Sequence, residues 1–156
     1  MPLRDDQDVV RALGFVAIYS AWVEEDVDEL LRILKPLRPF DEAIQQLPIA
    51  RKLAHAAGLV RQLDSPELFG LPEALQHARE LFERRNAVVH GRVYTGHDKV
   101  DYIQSGRPNV PPRPIDSSEL YALANAFWDC RDHFIGPVAF RLPGAVEHFV
   151  RRSPGK

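Results

Sequence analysis

The chain has a single cysteine, Cys130, which excludes internal disulfides and any cysteine-based zinc site. Long apolar runs are missing too. None exceeds five residues, as in Phe15–Tyr19, against the roughly 20 that a membrane-spanning helix requires. No basic leader with an apolar core and a small-residue cleavage site stands at Met1, so a cytoplasmic protein with no membrane partner is expected. There is no glycine-rich phosphate loop and no His-x-x-x-His pair on a helix, so neither cofactor nor metal is expected. Nor does charge of one sign prevail: 20 basic against 22 acidic residues leave a net −2, which argues against a uniformly basic nucleic-acid binder.

What is there is the composition of one globular domain covering residues 1–156, 45% hydrophobic and large enough for a single core. The near-neutral average hides a division. Met1–Leu34 carries three basic and eight acidic residues (3 − 8 = −5), and Arg79–Arg113 carries seven basic and four acidic ones (7 − 4 = +3). A locally positive middle on an acidic chain allows a confined anion-binding site.

The dominant period is helical. Leu13, Val16, Ser20, Val23, Val27, Leu30 and Leu34 recur at three-and-four spacing, between Asp8 as start signal and Pro36 as stop. Phe15, Ile18, Tyr19 and Trp22 add a second apolar stripe, so this helix is expected to be covered on two sides, as a bundle centre or a subunit interface. A second helix is predicted from about Pro48 to Leu63. A third runs from Pro72 to about His90, with Gly91 in the left-handed position that commonly ends helices. Val93-Tyr94 and Val100–Ile103 then flank a turn as a short hairpin, and Ser105–Pro114, with four prolines, reads as an extended surface loop. A fourth helix starts near Asp116 or Ser117, and Gly136-Pro137 and Pro143-Gly144 punctuate a short C-terminal piece. The expected fold is all-α, an up-down helical bundle of four to five helices with a short β-hairpin-like insertion after the third.

Along the third helix, the apolar line Leu71, Leu75, Ala78, Leu81, Phe82 is interrupted by Arg85 before Val88 and Val89 resume it. A guanidinium on a core-facing line needs a partner, because an unpaired buried charge is costly. Asn86 and His90 are one turn apart and share a face. The helix end thus collects a permanent cation, an amide, and a residue type that exchanges protons near neutrality. Those are the parts that metal-free phosphodiester chemistry needs.

Arg85-Asn86-Ala87-Val88-Val89-His90 resembles the Arg-Asn-x-x-x-His signature of HEPN-domain ribonucleases. That superfamily includes toxins of toxin–antitoxin systems, abortive-infection proteins and CRISPR-associated nucleases. The resemblance implies a helical bundle with the signature at the end of its third or fourth helix, and a homodimer with the motif at the interface. In outline it extends to the long first helix with Trp22 and Glu24-Glu25, the strand-like insertion and the closing helix. One departure bears on regulation. The toxin branch silenced by nucleotidylation carries a tyrosine two residues after the histidine, where this chain has Arg92; Tyr94 stands two places too late. That silencing is not expected here.

The expected function is that of a metal-independent endoribonuclease cleaving single-stranded RNA, as a toxin or host-defence component with an antitoxin protein as a further partner. His90 handles the proton of the ribose 2′-hydroxyl or of the leaving oxygen, Arg85 stabilises charge on the phosphoryl oxygens, and Asn86 orients the phosphate or Arg85. Arg84 and Arg92 flank these residues and are expected to hold the RNA backbone. The alternative is a non-catalytic dimeric helical module that binds a protein, a nucleotide or a nucleic acid. Each residue also has a purely structural use. His90 can satisfy carbonyls at the helix end, Arg85 can pair with Glu24 or Glu25, and Asn86 can face solvent. Asp129, Cys130 and His133 share a helix at a spacing suited to a metal or a nucleophile pair, but no further ligand accompanies them.

Overall fold

A computed structural model describes residues 2–153. Three helices come first, α1 (Val9–Leu34), α2 (Ile49–Leu63) and α3 (Leu71–Val89). An antiparallel sheet follows, β1 (Arg92–Thr95), β2 (Asp101–Gln104) and β3 (Arg113–Pro114), in that spatial order. Helix α4 (Ser117–Gly136) and the shorter α5 (Leu142–Arg152) complete it. The predicted class, a mostly helical chain with a β insertion after the third helix, is the observed one. The hairpin gains a third strand where the proline-rich loop returns and pairs Arg113 with Ile103. Among the described residues no helix is long and apolar enough to cross a membrane.

The chain divides into two compact units, one drawn from Met1–Ala21 and Leu81–Trp128, the other from Trp22–Glu80 and Asp129–Lys156. In the first, Asp8 caps α1: its carboxylate accepts the Arg11 amide at 2.9 Å and its carbonyl the Ala12 amide at 2.9 Å. The acidic N-terminal segment is tied to α4, where Ser117 Oγ donates to Asp5 at 2.6 Å and the Tyr121 hydroxyl to Asp6 at 2.7 Å. That second bond holds the Asp6 carboxyl below its usual range and pushes the Tyr121 hydroxyl up to about 12. Aromatic side chains fill the space between helices. Phe15 packs on Tyr121, Tyr19 on Trp128, and the buried pair Phe82 and Phe127 meets edge to face at 5.1 Å. The second stripe of α1 is therefore covered at Phe15 and Tyr19, whereas Ile18 remains 48% exposed.

The junction between α3 and β1 departs from expectation. Gly91 is not left-handed; among the described glycines only Gly70 has a positive φ, 86°. Gly91 is needed for space instead. A Cβ there would lie 2.5 and 2.7 Å from Ile103 Cγ1 and Cδ1, and 3.2 Å from the Gln104 carbonyl oxygen. Ile103, buried on β2 opposite Val93, presses against the backbone just where the helix gives way to the strand.

In the second unit, α2 turns Leu53, Ala56, Leu59, Val60 and Leu63 inward, and its Lys52 is only 5% exposed. The Lys52 ammonium lies 2.7 and 3.0 Å from the two Asp28 oxygens and 3.7 Å from Glu24. Removing one partner of such a buried pair costs on the order of 3 kcal/mol, because the remaining charge is left in a poor dielectric. Arg131 donates to Asp26 at 2.9 Å and lies over the Trp22 ring. Burial raises the Asp26 carboxyl, against the lowering effect of that arginine.

Candidate functional site

A cleft of about 460 Å³ opens in the first unit where the end of α3 faces β2 and the loop that joins β2 to β3. Asn86 and His90 line it from the helix side, His90 being the first residue beyond α3. Ile103 supplies apolar wall, and Ser105, Arg107 and Arg113 enter from the loop and β3. One carboxylate, Glu83, completes its charged lining. The pairing of Asn86 with His90 on one face, expected from their spacing, is thus what places both in the cleft.

Arg85 is placed differently. It is half-buried and is not among the residues that line the cleft. Its Nη1 donates to Asn86 Oδ1 at 3.0 Å, and its buried Nε has no hydrogen-bond partner among the described residues. In the single chain Arg85, expected to stabilise charge on the phosphoryl oxygens, thus reaches the cleft through Asn86 and is not part of its lining. About 100° of rotation per residue separates it from Asn86, and it follows the core-facing line instead. The bond has a chemical consequence. With Asn86 Oδ1 occupied by a cationic donor, the amide orientation is set, and its Nδ2 amino group is left as the free donor of a cleft-lining residue. Arg84 and Arg92 are exposed and lie outside the lining. The carboxylate of Glu24 is engaged by Lys52.

The two loop-side arginines were not singled out by sequence reasoning. Arg113 is held by Glu119 in a two-pronged ion pair, at 2.8 and 2.6 Å, which raises its pKa further and compensates its charge. The guanidinium of Arg107 has no carboxylate partner among the described residues, and its backbone amide donates to Ser105 Oγ at 3.1 Å. Elsewhere, the Asp129, Cys130 and His133 constellation does not form a site. Cys130 is buried, and burial, followed by the negative charge of Asp26, pushes its thiol up to about 12, while Asp129 and His133 are exposed. A thiol so held is protonated near neutrality and is no nucleophile. Among the described residues no group of three or more His, Cys, Asp or Glu side chains is placed to hold a metal ion. No family model, curated protein or solved structure matches the chain.

Proposed function

We propose that this protein is a metal-independent endoribonuclease of single-stranded RNA, working in the cleft beside His90. The observation that carries this reading is that Asn86 and His90 line one cleft while Arg85 fixes the Asn86 amide from behind. In the proposed reaction the ribose 2′-hydroxyl gives its proton to the His90 imidazole and its oxygen bonds to the adjacent phosphorus. The bond from phosphorus to the 5′ oxygen breaks, and that oxygen takes up a proton from the imidazolium or from water. The products are a 2′,3′-cyclic phosphate and a 5′-hydroxyl. Asn86 Nδ2 donates to a non-bridging phosphoryl oxygen, where negative charge grows in the transition state. Arg85 acts through Asn86. The working unit in this reading is a homodimer, and a toxin or host-defence role with an antitoxin partner fits such an activity.

The test is cleavage of single-stranded RNA in excess EDTA. The wild type is expected to cut and leave cyclic phosphate ends, His90→Ala to be inactive, and the corresponding DNA, which lacks the 2′-hydroxyl, to be spared. Cleavage that EDTA eliminates, or that survives in His90→Ala, would overturn the mechanism. The position of Arg85 outside the cleft favours one second reading, a module that binds nucleic acid without cutting it. Its signature in the same experiment is binding with no cleavage of any RNA offered.

A further inference from the structure

The cleft needs a cation for any phosphodiester to rest beside His90, and the signature arginine of the same chain does not supply it directly. Of the other two arginines in the lining, Arg113 is already neutralised by the two carboxylate oxygens of Glu119. Arg107 is not: its guanidinium is exposed and has no carboxylate or other hydrogen-bond partner among the described residues. The loop that carries it is anchored close to the helix end. Ser105 Oγ accepts the Arg107 amide at 3.1 Å, and a Cβ placed on Gly106 would lie 3.5 Å from the His90 carbonyl oxygen. On one rim, therefore, stand an amide donor and an imidazole; on the facing rim stand a hydroxyl and an uncompensated, always-charged fork of N–H donors.

Building on the reading of the cleft as a ribonuclease site, we propose that Arg107 is its phosphate-binding cation. It grips the phosphodiester backbone of single-stranded RNA so that the scissile phosphate lies between Arg107 and the pair Asn86 and His90. Arg85 is then a positioning residue for Asn86, and the phosphate-binding set of one cleft, Asn86, His90 and Arg107, comes from a single chain. This assigns a role to the positive charge of the proline-rich loop.

The experiment measures binding of a fully 2′-O-methylated single-stranded oligoribonucleotide, which cannot be cut, as a function of salt. Arg107→Ala is expected to weaken binding about tenfold and to lower the slope of log affinity against log salt by about one contact's worth, while Arg107→Lys restores most of the affinity. The residue is an exposed loop position, and circular dichroism spectra and melting of the variants should match the wild type. Affinity and salt slope in Arg107→Ala within twofold of the wild type would overturn the proposal, as would a wild type that does not bind the oligonucleotide. The two readings fail separately. Binding that depends on Arg107 without cleavage of unmodified RNA sinks the catalytic mechanism and leaves this inference standing. Cleavage with unchanged KM in Arg107→Ala sinks this inference alone.

Discussion

The Arg85 guanidinium donates to the side-chain oxygen of its own neighbour, Asn86, at 3.0 Å, and its buried Nε has no partner among the described residues. That bond sets a cleft-lining amide. If Arg85 acts through Asn86, their contributions to RNA cleavage cannot add. Arg85→Ala and Asn86→Ala are each expected to lower kcat/KM by tenfold or more, and the double variant to fall little below the worse single one. Fully multiplicative losses in that cycle would show that Arg85 contacts the substrate independently.

Gly91 presents a steric prediction. The β-carbon of Gly91→Ala would overlap Ile103 Cγ1 and Cδ1, and Ile103 is buried. Overpacking of this kind costs roughly 1–3 kcal/mol, and urea denaturation should report a loss of that size. Ile103→Ala removes both clashing atoms, so Gly91→Ala in that background is expected to cost much less than in the wild type. Equal costs in the two backgrounds would mean that the clash is relieved by backbone movement instead.

These junctions separate what local chemistry writes into a sequence from what only long-range contact decides. The bounds of α1 and α2 were readable because caps and prolines act on their own neighbours: Asp8 accepts the Arg11 amide, and Pro48 stands directly before α2. Asn86 and His90 were readable as a pair because four-residue spacing puts them on one face. Gly91 was misread because a glycine after a helix signals either a positive φ or a close approach, and Ile103, twelve residues on, decides between them. The two-residue strand Arg113–Pro114 exists only through pairing with Tyr102 and Ile103, so no local pattern announces it. Lys52 follows Arg51 like a surface lysine, and is buried because Asp28 and Glu24 meet it from another helix. Arg107 sits in an irregular loop, where no period tells which way a side chain returns.

Cys130 gives a pH-dependent test with a definite sign. In the unfolded chain the thiol ionises near its ordinary value of about 9, whereas burial in the fold pushes it up to about 12. Between these values the unfolded state releases a proton that the folded state keeps, so stability falls as pH rises through that window; well below pH 9, where both states keep the proton, the group contributes no pH dependence. Unfolding free energies at pH 8, 9 and 10 are expected to decline, and Cys130→Ala to flatten that decline by about 1 kcal/mol per pH unit at its upper end. The native thiol should also resist a disulfide reagent at pH 8 until the protein is unfolded. Prompt modification of the native protein would show that the thiol is accessible and would remove the basis of the pH prediction.

Assembly is tested apart from the cleft, whose lining residues all belong to one chain. At about 100° per residue, Arg85 and His90 lie about 140° apart around α3, so one helix cannot point both side chains straight at one phosphate. A homodimer that joins two helix ends would double the local positive charge, and α1 offers a surface for pairing. Val10 is 80% and Ile18 48% exposed, and Gly14, Ala17 and Ala21 lie with them at three-and-four spacing, small enough to let another helix approach closely. Light scattering at micromolar concentration is expected to give twice the 17.7 kDa chain mass. Ile18→Glu, which puts a charge into that stripe without touching the cleft lining, is expected to give the monomer with an unchanged circular dichroism spectrum. A wild type that remains monomeric at that concentration would overturn the dimer. Mixing then asks whether chains share a site. With the Arg85 bond made to Asn86 of its own chain, each cleft of an Arg85→Ala and His90→Ala heterodimer lacks one needed residue. No activity is expected to return on mixing. Recovered cleavage would show that Arg85 reaches the partner's cleft, and the single-chain assignment of the site would have to be given up.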